Sequence, residues 1–152
     1  MTILTTDKLI ELTSISDAVN ADTLLPFIEM AETFHIEPIM GDMYETYLNK
    51  IYDNNLDDND EKFLKKYVYK AIAYFAWYEA APHLYIQSEK KGIVKKFSDN
   101  SNSIDSNDFK IYRQSIFDKA VKYANILTIQ IEKDSCEENV RTKNSGGFFL
   151  NF

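Results

Sequence analysis

Residues Tyr67–Ile86 read YVYKAIAYFAWYEAAPHLYI, and this stretch decides the fold of the chain. From Ala71 onward it is apolar on every side of a helix for about ten residues, with Glu79 as the main interruption. A surface helix carries one apolar stripe and one polar face, so this helix requires cover on all sides, from its own domain or from other subunits. The stretch is too short and too aromatic for a membrane span. We therefore predict a central buried helix over about Asp60–His83.

Composition restricts the chain to one small acidic domain. Its 152 residues are enough to bury a core without covalent cross-links. The net charge is −7 and the sequence pI is about 4.8, with Arg113 and Arg141 as the arginines. Phosphate-directed binding of nucleic acid needs a surplus of lysine and arginine on one face, so the composition argues against sequence-specific DNA binding.

The cysteine content and the first residues indicate where the chain is found. Cys136 is the single cysteine, so an intrachain disulfide is impossible and a reducing compartment is expected. The first residues, MTILTTDKLIEL, lack the basic region and the apolar core of an export signal. We therefore expect no export.

Helical periodicity over most of the chain predicts an all-α bundle of about five helices. Pro38 disfavours helical geometry at Glu37, so we expect the second helix to end near Ile36. Residues 1–134 are predicted to form a helical domain and residues 135–152 an extended C-terminal arm. The predicted helices are a short helix through about Leu12 capped by Thr5 or Thr6, one from Thr23 to about His35 that Asp22 opens, one over about Asp42–Tyr52, the central helix over about Asp60–His83 capped by Asp58 or Asn59, and a last helix from Ser106 or Asn107 to about Ile131.

A polar segment follows the central helix, and we interpret it as a long loop or flexible hairpin over about Ser88–Ser103. Loops of this length without structure of their own are uncommon unless they are functional. The segment carries the one local basic patch, and this patch is either a solvated loop or a contact to phosphate or to an acidic neighbour. Its members are Lys90, Lys91, Lys95 and Lys96.

The C-terminal residues form an apolar cluster after a pair of glycines, Gly146 and Gly147. Soluble monomers rarely leave such a patch in water. The arm either folds back onto its own domain or docks on another subunit with the glycines as a hinge, and we favour docking between chains. The predicted partner-binding residues of the arm are Phe148, Phe149, Leu150 and Phe152.

Catalytic and metal-binding signatures are missing from the sequence. A metal site needs at least three converging ligands, and neither His35 nor His83 lies in a metal-binding spacing. Glu79 is expected to pair with a lysine, an arginine or a tyrosine hydroxyl of a neighbouring helix or subunit. Cys136 lies in the acidic stretch SCEEN, which disfavours a reactive thiolate. We predict no catalytic residue, no metal and no cofactor, and hence no enzyme.

Four segments together resemble a helical family of crAss-like phages and, more broadly, the head–tail connector (adaptor) proteins of tailed bacteriophages. The similarity covers about Ile3 to Ile131. The segments are ISDAVNADTLLPFIEMAETFHIEPIMG (Ile15–Gly41), YFAWYEAAPHL (Tyr74–Leu84), KGIVKK (Lys91–Lys96) and FKIYRQSIFDKAVKYAN (Phe109–Asn125).

The resemblance implies a structural subunit of a ring of about twelve copies beneath the portal, with DNA passing through the lumen. Its partners would be other copies, the portal protein and other neck or tail ring proteins, and its location the head–tail junction of a virion made in the host cytoplasm. No membrane is implied. The alternative is a small helical binding module that grips one partner through the C-terminal arm. An enzyme that uses Glu79 with His35 or His83 comes third.

Overall fold

The computed structural model describes the backbone of residues 1–90 and 106–145 and the side chains of residues 1–86 and 107–137. The described part contains five helices and no strand, which confirms the predicted all-α bundle. Helix α1 is Thr6–Leu12 and α3 is Asp42–Tyr52. Helix α2 runs from Ala21–Ala31 through a π-helical turn, Glu32–Ile36, to Glu37–Met40. Helix α4 runs from Asp58–Phe63 through a second π-helical turn, Leu64–Val68, to Tyr69–Lys90. Helix α5 is Ser106–Ser145.

Helix α4 is the centre of the bundle, as the all-round apolar run predicts. It packs against α1, α2 and α5. From Ala71 to Ala81 its buried side chains lie on every side of the helix, and most of them are small, so that neighbouring backbones approach closely. They are Ala71, Ile72, Ala73, Phe75, Ala76, Trp77, Ala80 and Ala81.

Side chains cap the starts of α1, α2 and α4, and two of these caps differ from the sequence-based prediction. Thr5 caps α1, as expected, by accepting from the Lys8 amide. Asn20 rather than Asp22 caps α2. Asp57 caps α4 and forms a reciprocal pair with Asp60, in which each side chain accepts from the other residue's backbone amide. This capping box satisfies the Asp57 and Asp60 amides at once.

The prediction that α2 ends near Ile36 is wrong, because the helix accommodates Pro38. Immediately before the proline the helix widens into the π turn, in which the Glu37 amide donates to the Glu32 carbonyl five residues back. This wider turn makes room for a ring that would clash with the preceding carbonyl in a regular α-helix. The helix ends instead at Gly41, whose φ of 54° favours glycine.

The last helix is longer than the sequence indicated. We expected an extended arm from residue 135, but α5 remains helical to Ser145. Residues 132–137 are all exposed, so no apolar stripe marks this part of the helix. Side-chain hydrogen bonds support the start of this extension instead, since the Gln130 amide donates to the Asp134 carboxylate over 2.8 Å and the Ser135 hydroxyl donates to the Ile131 carbonyl over 2.9 Å.

Candidate interaction surfaces

The side chain of Glu32 is the most deeply buried charged group in the described part of the chain. Its carboxylate accepts from the Ile3 amide over 3.0 Å, from the Leu4 amide over 2.9 Å and from the Tyr44 hydroxyl over 2.8 Å. Burial raises the pKa of Glu32 more than these hydrogen bonds lower it. Burial and the neighbouring carboxylate also raise the pKa of Tyr44. Glu32 thus fastens the N-terminal segment and α3 to α2, which is a structural role.

Glu79 and His35 form a pair between α4 and α2. The two side chains approach to 3.1 Å, from His35 Nε2 to Glu79 Oε1, and both are partly accessible. The His35 ring stacks on Phe75 with the centroids 4.0 Å apart and the planes 3° from parallel. We expected a lysine, arginine or tyrosine partner for Glu79, and the structure gives histidine instead. The His35 ring is held against the buried Phe75 ring. Its contact with Glu79 therefore joins α2 to α4.

The carbonyl of Tyr78 shows how α4 accommodates its second proline. Pro82 has no backbone amide, so the Tyr78 carbonyl four residues earlier lacks its usual helical donor. Arg113 of α5 lies there instead, with Nε 3.3 Å from the carbonyl oxygen and the guanidinium 4.1 Å from the centroid of the Tyr78 ring. One arginine therefore supplies both a missing hydrogen bond and a cation–π contact between the two longest helices.

A further ion pair joins α3 to the start of α4. Lys50 Nζ lies 2.9 Å and 2.7 Å from the two carboxylate oxygens of Asp60. This pairing lowers the pKa of Asp60. Burial, the negative charges of Asp60, Asp57 and Asp134, and a hydrogen bond with Asp60 raise the pKa of Tyr47 to about 12.

Two further candidates from the sequence, His83 and Cys136, have side chains in the described part of the chain. The His83 ring packs 5.5 Å from Phe27, and Cys136 is an exposed free thiol. Within the described residues no group of three or more histidine, cysteine, aspartate or glutamate side chains could hold a metal ion. No helix in the same part of the chain is long and apolar enough to cross a membrane.

Helix α5 packs one face on the core and carries two exposed isoleucines on the opposite side, with exposed polar residues between them. The inner face packs on the core through Ile116, Ala120, Ala124 and Leu127. On the outer face, Ile111 and Ile129 are separated by eighteen residues, which is five turns, and are 63% and 51% exposed. Ala120 and Ile129 differ by nine residues, or two and a half turns, and therefore point in opposite directions.

A shallow, mostly apolar hollow lies over the π turn of α4. It is lined by Lys62, Phe63, Lys65, Lys66 and Tyr67. The Phe63 ring stacks on Tyr47 with the centroids 5.4 Å apart, and this contact fixes the aromatic floor. The surrounding lysines are exposed. The hollow is distant in sequence from every residue that we predicted to bind a partner.

The predicted partner-binding residues lie outside the part of the chain whose side chains are described. This holds for the lysines of the polar segment, Lys90, Lys91, Lys95 and Lys96, and for Phe148, Phe149, Leu150 and Phe152 of the arm. Their roles stay predictions. Sequence reasoning missed Glu32 and Arg113 as structural residues. The sequence did contain a signal for the role of Arg113, because Pro82 within a helical pattern leaves the Tyr78 carbonyl in need of a donor from outside the helix. No local pattern marks Glu32 as buried.

These contacts define the chain as an all-α bundle whose described polar side chains mainly join helices to one another. The chain belongs to a family described as a family of unknown function, DUF6712, whose sequence profile matches residues 36–129. The match begins at the end of the π turn of α2 and includes α3, all of α4 and most of α5. Searches of curated proteins and of solved structures found no significant match.

Proposed function

We propose that the protein is a structural subunit of a phage head–tail connector, which assembles into a ring beneath the portal and forms part of the DNA conduit. The observation that supports this proposal is a pair of exposed isoleucines, Ile111 and Ile129, on the side of α5 that faces away from the core. A helix that packs one face on its own core and presents isoleucines on the opposite face is suited to a second neighbour. In a ring, that neighbour is the adjacent subunit.

The charge of the chain fits the same proposal. A conduit through which DNA slides requires weak contacts to phosphate, since each phosphate that is neutralised by lysine or arginine adds to binding. A net charge of −7 satisfies this requirement. The ring would contain about twelve copies and would contact the portal protein and other neck or tail rings at the head–tail junction of the virion.

The C-terminal arm is proposed to hold the subunits or adjacent rings together. Burial of four large apolar side chains contributes several kcal/mol at roughly 25 cal/mol per Å². The described helices contain a complete core without the arm. The arm is therefore available for contacts outside its own domain.

Substitution of the two adjacent aromatic residues of the arm tests this function. We expect the Phe148→Ser, Phe149→Ser double variant to melt as the unmodified chain does but to lose the ring in mass photometry. Cys136→Ser, at an exposed position of α5, is the control and should form rings. Full-size rings from the double variant would show that the arm is not the assembly element. A small complex with one partner in place of a ring would favour the binding-module alternative.

A further inference from the structure

The hollow over the π turn of α4 has the chemistry of a site for aromatic side chains. Its floor is formed by Phe63 and Tyr67, whose ring centroids lie 5.7 Å apart, and its rim by lysines. Lys66 Nζ already lies 4.9 Å from the centroid of the Tyr67 ring. Apolar aromatic groups that enter such a hollow bury area on the floor and gain cation–π contacts at the rim.

The same Lys–aromatic pairing recurs elsewhere in the described bundle. Lys8 Nζ lies 4.1 Å from the centroid of the Tyr69 ring, and Lys70 Nζ lies 5.7 Å from that of Tyr123. Lysine ammonium groups therefore pack over aromatic rings at several places in the described bundle. A further ring placed against Lys62 or Lys66 would extend a contact type that the fold already uses.

The sequence contains one segment that matches this hollow, namely FFLNF at residues 148–152. It offers three phenylalanines and a leucine and no charged side chain, so it can fill the floor without burying an unpaired ion. An acidic peptide or phosphate would contact the lysine rim but would leave the aromatic floor without an apolar partner. The aromatic floor therefore favours FFLNF over a nucleic-acid backbone.

The relative alignment of α4 and α5 determines whether the hollow can be reached by the FFLNF segment of its own chain or only by that of another copy. Helices α4 and α5 are antiparallel, with Tyr74 against Tyr123 and Tyr85 against Phe109. Nine residues before Tyr74 is Lys65 in the hollow, and nine residues after Tyr123 is Glu132. Ser145, where α5 ends, follows Glu132 by thirteen residues, which places it about 20 Å beyond the hollow along the helix axis.

This distance excludes insertion of the complete segment into the hollow of its own chain. Even when fully extended, Phe148 lies at most about 10 Å and Phe149 about 14 Å from Ser145. Both fall short of about 20 Å while α5 remains helical to its end. We therefore propose that the hollow lined by Lys62, Phe63, Lys65, Lys66 and Tyr67 receives the FFLNF segment of a second copy of the chain. This assignment rests on the proposed ring, since it names the surface that accepts the arm.

Photo-crosslinking in the full chain tests the assignment. Phe149 is replaced by p-benzoyl-phenylalanine, and ¹⁴N- and ¹⁵N-labelled chains are mixed in equal amounts, allowed to assemble and irradiated. We expect crosslinks from position 149 to peptides that contain residues 62–67, with mixed-isotope pairs. The same photoreactive residue at Ile86, exposed at the other end of α4, should not crosslink to those peptides.

Charge variants test whether the crosslink depends on the lysines of the hollow or on the overall charge of the chain. The Lys62→Glu, Lys66→Glu double variant should lower the mixed-isotope crosslink yield by about fivefold or more, because two cation–π contacts are lost. Lys62→Arg with Lys66→Arg should retain the crosslink, and Lys110→Glu, at an exposed site on α5, is the control.

The remaining outcomes overturn the assignment in different ways. Crosslinks within one isotope only would place the arm on its own chain. Crosslinks to another surface of assembled rings would refute the docking site and leave the proposed function standing. A chain that stays monomeric would refute both. Absence of a crosslink from position 149 to the hollow, together with binding of a short DNA duplex that the lysine reversal weakens, would assign the hollow to phosphate.

Discussion

Arg113 of α5 donates its Nε hydrogen to the carbonyl oxygen of Tyr78 of α4, at the position where Pro82 removes the helix's own donor. A proline in a buried helix costs stability partly because it leaves a carbonyl without a partner. Here a neighbouring helix provides the partner and also covers the Tyr78 ring. The proline and the arginine are therefore coupled, although thirty-one residues separate them.

A double-mutant cycle measures this coupling. We expect Arg113→Ala to lower the free energy of unfolding by about 1–3 kcal/mol, through the lost hydrogen bond and the lost packing of the side chain. In a Pro82→Ala background the cost should fall to about half, because the new amide at position 82 can donate to the Tyr78 carbonyl. Urea titrations of the four proteins give the coupling energy. Equal costs in both backgrounds would show that Arg113 acts only through the ring.

Substitution of Glu32 tests the role of its buried carboxylate, which accepts three hydrogen bonds. In Glu32→Gln, the amide nitrogen takes the place of one oxygen and leaves the Ile3 or the Leu4 amide without an acceptor. We expect a loss of about 1–3 kcal/mol in the free energy of unfolding. Glu11→Gln, at an exposed position of α1, is the control and should have little effect.

The pH dependence of that loss has a definite sign. Burial raises the pKa of Glu32 above its ordinary value of 4.5, so the folded state binds this proton more tightly than the unfolded state does. The corresponding stabilisation is complete below pH 4.5 and is lost as the pH rises through the raised pKa. The difference in stability between the unmodified chain and Glu32→Gln should therefore shrink as the pH increases. A difference in stability that grows with pH would show that folding lowers the pKa of Glu32 and does not raise it.

The central helix should tolerate neither a charge nor a large loss of volume. Ala76 is fully buried and Trp77 is 8% exposed. We expect Trp77→Ala to cost on the order of 3–5 kcal/mol and Ala76→Asp to cost several kcal/mol, because the new carboxylate would be buried without a partner. Thermal melts are sufficient to detect such losses. Wild-type melting temperatures for both variants would contradict the buried position of this helix.

Much of the fold follows from local sequence signals, while the long-range contacts do not. The apolar run from Ala71 predicted a helix covered on all sides, and the bounds of α3 agree with its periodicity. Predictions from local sequence failed where a distant partner or a wider helical turn determines the structure. At Pro38, for example, the preceding π turn lets α2 continue. The pairs Glu32–Tyr44 and His35–Glu79 depend on which helices become neighbours, and single-residue patterns contain no such information.

The outer face of α5 gives a prediction about assembly that is independent of the arm. Ile129→Asp should leave the melting temperature nearly unchanged, because the side chain is half exposed in the single subunit. The fraction of assembled protein should nevertheless fall, because a carboxylate would be buried against the neighbouring subunit. Lys110→Glu, which also adds negative charge to an exposed position of α5 but lies about 100° round the helix from Ile129, is the matched control. Sedimentation velocity of the three proteins at equal concentration measures the assembled fraction.

The mass of the unmodified chain in native mass spectrometry tests the proposed ring most directly. The account predicts one discrete, high copy number, near twelve subunits of 17.7 kDa each, that persists over a range of protein concentrations. A chain that remains a monomer or a dimer at every concentration would contradict the proposed ring and favour a binding module.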